Sequence, residues 1–367
     1  MSIATAAVLR RDPSRLDPAF ARVRVAVQSG EVPDAVLAVA DGEGEIRAEA
    51  HTRRPGRLTT ESRFMVASIT KPIVATAIMQ LVETGRLDLH APVGQLIPGF
   101  APPPAAPGLP GGEAISAWHI LTHTSGIPDV DTDRLYRERP SRGDMLRIAA
   151  TDRLRFAPGS QFEYVSSSFY VLGELIRRLG GLPHAEYLRV RVLAPLGMVG
   201  TGFAMPTDRG SRVPVHGFGP QGPLQALLLR AFASLEHPGG GLWSTAPDLL
   251  RFGRAMLLGG ELDGARVLGP TTLAEMTREQ TRGLQEAGAT PAEPAHDARY
   301  ALGWTKLGLD PQLPGGSAQF GHGGATGSLL WIDPERDLVI VLLANVWEME
   351  RTLQLAVVRA VYGALAG

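Results

Sequence analysis

The sequence predicts an α/β protein of the α+β type, with an antiparallel sheet built from both termini, flanked by helices and interrupted by a mainly helical region. Three observations predict it. Apolar extended runs gather near the two ends of the chain, helical spacing prevails between about residues 117 and 252, and an amphipathic helix stands at each end. The matching division is a sheet domain formed from residues 1–85 and 290–367, with a mainly helical domain, 86–289, inserted into it.

The elements follow in order. From Asp17 to Ser29, Phe20, Val23 and Val27 share one helical face, and Gly30 supplies a C-terminal cap. The run Ala35 to Ala40, the turn Asp41-Gly42 and the run Glu45 to Ala50 read as a hairpin. Val74, Ile78 and Leu81 recur at helical spacing between Lys71 and Thr84, and Gly85 ends that pattern. The stretch from Pro98 to Gly112 is too rich in Pro and Gly for a helix or a central strand and reads as a surface loop. Turn signals stand at Gly126-Ile127-Pro128, Pro158-Gly159 and Gly239-Gly240-Gly241, and Gly283 to Asp297 reads as irregular. Extended patterns return at Tyr300 to Leu307, Ala318 to His322, Ser328 to Ile332 and Leu338 to Ala344. A last helix covers Arg351 to Leu365.

Composition narrows the function. The 367 residues are 44% hydrophobic and 20% charged, enough for a substantial core. A formal net charge of -1, with Lys and Arg dispersed among acids, excludes an electrostatic footprint for nucleic acid. The absence of cysteine removes disulfides, thiolate metal sites and cysteine nucleophiles. Arg10-Arg11 follow the short apolar start instead of preceding it, the reverse of a secretory signal, and no run reaches the about 18 apolar residues of a spanning helix. The expectation is a soluble, cytoplasmic protein without a membrane partner, although a mature secreted form would read similarly.

The chemistry starts at Ser68-Ile69-Thr70-Lys71. A serine hydroxyl needs a neighbouring base, and the three-residue spacing puts hydroxyl and amine one helical turn apart on one face. The helix N-terminus adds free N–H groups and a positive dipole end, both suited to the charge that develops in acyl transfer. Lysine serves as the base only if burial or neighbours lower its pKa from about 10.4 towards neutrality. Alone the tetrapeptide is unspecific, because serine and lysine are common.

Its surroundings are more informative. Phe64 to Pro72, Leu121-Thr122-His123-Thr124-Ser125-Gly126-Ile127, Phe156-Ala157-Pro158-Gly159 leading to Tyr164, Gly239 to Thr245 with Asp248, and Gly321-His322-Gly323-Gly324 follow in one order. In that order they resemble the penicillin-binding-protein-like serine hydrolases, which comprise class C β-lactamases, D-Ala-D-Ala carboxypeptidases and family VIII carboxylesterases. The resemblance covers roughly Val36 to Asn345. It implies a β-lactamase/transpeptidase-like fold with the active site between the two domains. It further implies Ser68 as nucleophile, Lys71 as base and Tyr164 as their partner in proton transfer, the phenol relaying the serine proton or donating to the leaving group if Lys71 holds its pKa down. The backbone N–H groups of Ser68 and Ala325 would form the oxyanion hole. Ser166, His322, Gly323 and Gly324 would border the substrate, and neither cofactor nor metal is implied.

Two positions depart from the family pattern. Ser166 stands where most penicillin-recognising relatives have Asn and lacks the amide NH2 that would meet a substrate carbonyl. His322 stands in place of Lys and, with an ordinary pKa near 6.5, is mostly neutral at pH 7. A fixed cation for a substrate carboxylate is therefore missing, unless protonation of His322 creates one. The expected substrates are small, uncharged, short-chain esters. A β-lactamase, a D-aminoacyl peptidase acting on amides, an acyltransferase or a non-catalytic binding protein on the same fold remain as alternatives.

Other groupings have simpler readings. His119 and His123 are four apart, as in helical zinc sites, but Ile120 replaces the expected acid and no third ligand is evident, so packing is favoured. Gly239-Gly240-Gly241 lacks the Lys-Ser/Thr of a phosphate loop and suggests close backbone packing near the site. Ser166-Ser167-Ser168 offers rival nucleophiles without a lysine one turn onward. Pocket walls are expected from the loops Asp129 to Arg142 and Leu224 to Glu236.

Overall fold

A computed structural model describes residues 5–53, 56, 58–130, 132–138, 140–208, 210–219, 222–288, 299–306 and 316–366. The chain start Met1 to Ala4, most of the irregular stretch (289–297) and Leu307, on which sequence expectations fell, lie outside the described residues.

The sheet is assembled from both ends of the chain. β1 (Asp34–Ala40) and β2 (Glu45–Thr52) form the expected hairpin. β3 (Phe64–Met65) pairs with β4 (Trp243–Ser244), and β5 (Glu261–Leu262) pairs with β6 (Ala265–Arg266). β7 (Phe320–Gly323), β8 (Leu329–Asp333) and β9 (Leu338–Ala344) complete a five-stranded antiparallel sheet in the order β2-β1-β9-β8-β7. β9 is the central strand, and β1 pairs with it with Leu37 opposite Leu342 and Val39 opposite Ile340.

The alternation of side chains along these strands divides the core in two. Leu37, Val39, Trp331, Ile340 and Leu342 face the helices Asp17–Ser29 and Thr352–Ala366, meeting Phe20, Val23, Val357 and Val361. Val36, Ala38, Leu330, Val339 and Val341 face the other way, into a larger core shared with the helices Thr70–Glu83, Phe169–Gly180 and Ala246–Leu257. Because both faces are covered, β1 reads as one apolar run with no polar alternation. Each large side chain buried this way contributes roughly 1.5–3 kcal/mol.

The expected element at Tyr300 to Leu307 is not a strand over its described part. Tyr300 and Thr305 make only an isolated bridge, and Thr305 another to Gly321. The segments expected to be pocket-wall loops carry helices, Thr132–Glu138 and Pro223–Ser234. Among the described residues no helix is long and apolar enough to cross a membrane.

Candidate active site

β3 delivers the chain to the site, and a strained turn presents the serine. Ala67 has φ 46°, a left-handed conformation that costs a non-glycine residue about 1–3 kcal/mol and is tolerated where the surroundings enforce it. Ser68 follows in a single 3-10 turn, Ala67–Ile69, which runs into the helix Thr70–Glu83. Thr70 locks the junction: its hydroxyl donates to the Ala67 carbonyl at 2.6 Å and accepts from the Leu242 amide at 3.1 Å. Ser68 is half-buried, so its hydroxyl is reachable.

Lys71, one turn on, is fully buried. Its helix is buried almost all round, not on one stripe alone, which puts this amine within the core. Nζ lies 3.1 Å from Ser68 Oγ, 3.0 Å from Ser166 Oγ and 2.7 Å from the Gly239 carbonyl. Burial lowers its pKa to about 7, opposed by the Asp129 carboxylate. A neutral amine fits this environment: it donates to Gly239 and Ser166 and keeps a lone pair for the Ser68 proton.

Gly239 has its place because its backbone presses on the Ser166 carbonyl; a Cβ there would come within 2.5 Å of that oxygen. Gly241 is packed as closely, with a Cβ there falling 2.8 Å from the His237 amide nitrogen, whereas a Cβ at Gly240 would meet nothing nearer than 3.9 Å. His237, which the sequence reading did not single out, braces the turn by accepting from the Gly239 amide at 3.0 Å.

The turn ahead of the helix Phe169–Gly180 brings Tyr164 and Ser166 to the opposite side. Asp129 organises it, its carboxylate accepting from the amides of Ser166 (3.1 Å) and Ser167 (2.9 Å) and from the Ser167 hydroxyl (2.6 Å). Tyr164 is 40% exposed, and its ring packs 4.5 Å from the imidazole of His123. Removal from water raises the pKa of its phenol, against the opposing influence of the Ser68 and Ser166 hydroxyls. The exposure belongs to the mouth of the site; the direction stands because the hydroxyl sits among the two serines. Lys71 does not hold the phenol's pKa down, so Tyr164 is a proton donor here and not a phenolate.

β7 closes the third side. Gly324 lies against the chain just before Ser68: a Cβ there would stand 2.4 Å from the Val66 carbonyl. Thr326 donates to the Met65 carbonyl at 2.9 Å, so Ala325 is held between two contacts with the segment that carries Ser68. Among the described residues no acceptor is bonded to the Ala325 amide.

His322 differs from its expectation as a substrate contact and proton-gated anion site. The imidazole is buried, Nδ1 faces the Gly323 carbonyl at 2.7 Å and Nε2 faces the Tyr300 hydroxyl at 2.8 Å. Burial first, then Lys71, lowers its pKa to about 3, so it stays neutral throughout the physiological range. A cation does lie near this side, however: Arg351, exposed ahead of the last helix, acts electrostatically on both Tyr164 and His322.

His119 and His123 do not converge on a metal. His119 Nδ1 takes part in the helix cap at Ser116, while His123 Nδ1 accepts from the Val165 amide at 3.1 Å. His123 instead anchors a ring cluster with Phe162, Tyr164, Phe169 and Tyr300. Sequence reasoning missed Tyr300, Asp129 and His237. Of these only Asp129 left a signal, as the acid closing the turn Gly126-Ile127-Pro128.

The arrangement is a hydroxyl, a buried amine and a phenol around one point, with a backbone amide free beside it. The Beta-lactamase family model matches residues 20–362. Esterase EstB of Burkholderia gladioli is 30% identical, over 90% of this chain and 90% of that protein. Penicillin-binding protein 4 of Amycolatopsis lactamdurans is 31% identical, over 86% of this chain and 81% of that protein. Among solved structures, EstCE1, described as a hydrolase with promiscuous acyltransferase activity, superposes with a TM-score of 0.78 at 22% identity, over 96% of this chain and 99% of that one.

Proposed function

This chain belongs to the beta-lactamase family of serine hydrolases, and from that premise we propose that it is a carboxylesterase-like enzyme that cleaves small esters through an acyl-enzyme on Ser68. The observation that carries the reading is the 3.1 Å approach of Ser68 Oγ to a fully buried Lys71 whose pKa is lowered to about 7.

Ser68 Oγ attacks the ester carbonyl carbon as its proton passes to neutral Lys71 Nζ. The carbonyl oxygen, now negative, is met by the N–H groups of Ser68 and Ala325. As the tetrahedral intermediate collapses, the alkoxide leaving group takes a proton from the Tyr164 hydroxyl, and Lys71 returns one to Tyr164. Water then attacks the acyl-enzyme, with Lys71 again the base, and Ser68 leaves with its proton restored. None of these steps needs a metal or cofactor.

Esters are preferred over β-lactams and D-aminoacyl peptides on two grounds. Ser166 Oγ accepts from Lys71, and its side chain has no amide NH2 to offer a substrate carbonyl. His322 is neutral and tied to Tyr300, so the strand position carries no charge for a carboxylate. The family's amide chemistry is the alternative, and the EstB likeness favours the ester.

The test pairs a fluorophosphonate label with substrate comparison. An adduct on Ser68 by mass spectrometry, loss of at least about 10³-fold in p-nitrophenyl ester hydrolysis in Ser68→Ala, and faster turnover of the ester than of nitrocefin are expected. An unlabelled Ser68 in folded protein overturns the reading; nitrocefin outrunning the ester overturns the substrate assignment.

A further inference from the structure

The segment that delivers Tyr164 is laid along the turn that contains His123. The Arg155 amide donates to the Gly126 carbonyl at 2.8 Å, the Gly159 amide to the Thr124 carbonyl at 2.7 Å and the Glu163 amide to the His123 carbonyl at 2.9 Å. The next bond in the series comes from a side chain: the Val165 amide donates to His123 Nδ1 at 3.1 Å. The residues on both sides of Tyr164 are thus tied to His123, whose ring also packs 4.5 Å from the Tyr164 ring, tilted by 36°.

The state of His123 sets it apart from a core ring. Its φ is 59°, a left-handed conformation that a non-glycine residue keeps only where the surroundings enforce it. The side chain is buried, and Nε2 has no hydrogen-bond partner among the described residues. Because Nδ1 accepts an N–H, the proton of the neutral ring sits on that Nε2. Burial first, then Lys71 and His322, hold the pKa well below the usual histidine value, so the ring stays neutral and Nδ1 stays an acceptor. A phenylalanine would offer a similar ring without a buried, unpartnered N–H. What the imidazole adds is the acceptor, and that acceptor goes to the amide next to Tyr164.

The phenol needs such a fixture. Tyr164 is 40% exposed, and displacing a reacting group by about 1 Å can cost about 10²-fold in rate. His123 is 1% exposed and so cannot meet a substrate itself. We infer that His123 is a positioning residue for Tyr164: its carbonyl and Nδ1 fix the backbone on both sides of the tyrosine and its ring backs the phenol, which keeps the hydroxyl where the leaving alkoxide is protonated. This rests on the acyl-enzyme reading above and replaces the sequence-based reading of His123 as packing alone.

Two variants of the full chain remove one contact each. His123→Phe keeps a ring and removes the acceptor. His123→Asn removes the ring, keeps an acceptor because Oδ1 takes the place of Nδ1, and tolerates the left-handed backbone. Each is measured alone and in the Tyr164→Phe background on an alkyl ester such as ethyl butyrate, whose alkoxide needs a proton to leave. With Tyr164 present, each should lower kcat about tenfold and change KM less than about threefold; in the Tyr164→Phe background, where no hydroxyl is left to place, each should cost less than about twofold. Fluorophosphonate labelling of Ser68, whose departing fluoride needs no proton from Tyr164, should stay within about threefold of wild type and reports an intact Ser68 and Lys71. A loss that depends on Tyr164 in either variant supports the assignment, so it stays testable if the phenylalanine variant folds poorly. Equal losses in both backgrounds, full kcat in both single variants, or loss of labelling in folded variants overturns it. If the wild type takes no label, or Tyr164→Phe alone is without effect, the reading above falls and this inference with it.

Discussion

Lys71 and His322 are two buried bases on either side of Ser68, and the same force acts on both. Burial disfavours the charged form of each and lowers both pKa values, Lys71 from 10.5 to about 7 and His322 from 6.5 to about 3. The outcomes are opposite because the starting points differ. The amine arrives where it can exchange protons at neutral pH, whereas the imidazole is carried out of the working range and becomes a neutral strut between Tyr300 and Gly323. Their contacts agree. Lys71 meets the Ser68 hydroxyl, from which it can take a proton, whereas both nitrogens of His322 are occupied, by the Tyr300 hydroxyl and the Gly323 carbonyl. A buried base near a nucleophile is thus not by itself a catalytic one; its unperturbed pKa decides what burial makes of it.

Variants at these positions sharpen or break that contrast. The largest effect is expected for Lys71→Met, which removes the base and should lower kcat/KM for a p-nitrophenyl ester by about 10³-fold. Tyr164→Phe keeps the ring against His123 and removes the donor, so a fall of about 10²-fold is expected in the same assay. Tyr300→Phe strands the buried His322 nitrogen and should cost about 1–3 kcal/mol in denaturant unfolding, leaving the pH midpoint of activity in place. A midpoint displaced by this variant would make His322 part of the proton path. Arg351→Ala removes an exposed, solvent-screened charge and should change kcat/KM for a neutral ester less than about threefold.

The lysine also leaves a signature in stability. Its pKa is lowered in the folded state, so between pH about 7 and about 10 the unfolded chain binds the extra proton and stability rises with pH. Relative to Lys71→Met, the wild type should gain about 1.4 kcal/mol per pH unit across that window, with the penalty fully present below pH 7. Chemical denaturation at pH 7, 8 and 9 measures the difference.

Much of the frame was legible in the sequence because periodicity reports burial directly. The hairpin, the helices Asp17–Ser29 and Thr70–Glu83 and the last strands follow from it. Ser68, Lys71 and Tyr164 were legible through ordered motifs, and the structure brings them together. What escaped has specific causes. The Gly239 carbonyl that holds Lys71 is backbone and carries no side-chain signal. Tyr300 acts from a segment whose described part forms only isolated bridges, so no strand pattern places it beside His322. The behaviour of His322 depends on its burial, which residue identity does not fix, and an ordinary pKa was the only value the sequence supplied. The segment Leu224 to Glu236, expected as a loop, is a helix whose Leu228, Leu229 and Phe232 pack against Met65, Phe218 and Trp243 while Leu224 and Leu227 stay exposed.

The most direct test is the titration of Lys71 itself. In Ser68→Ala protein carrying ¹³Cε-labelled lysine, one resonance, absent from a Ser68→Ala, Lys71→Met double variant, should titrate with a midpoint near pH 7. A midpoint above about 9, close to the ordinary value for lysine, would leave the amine charged at neutral pH and contradict its role as the base.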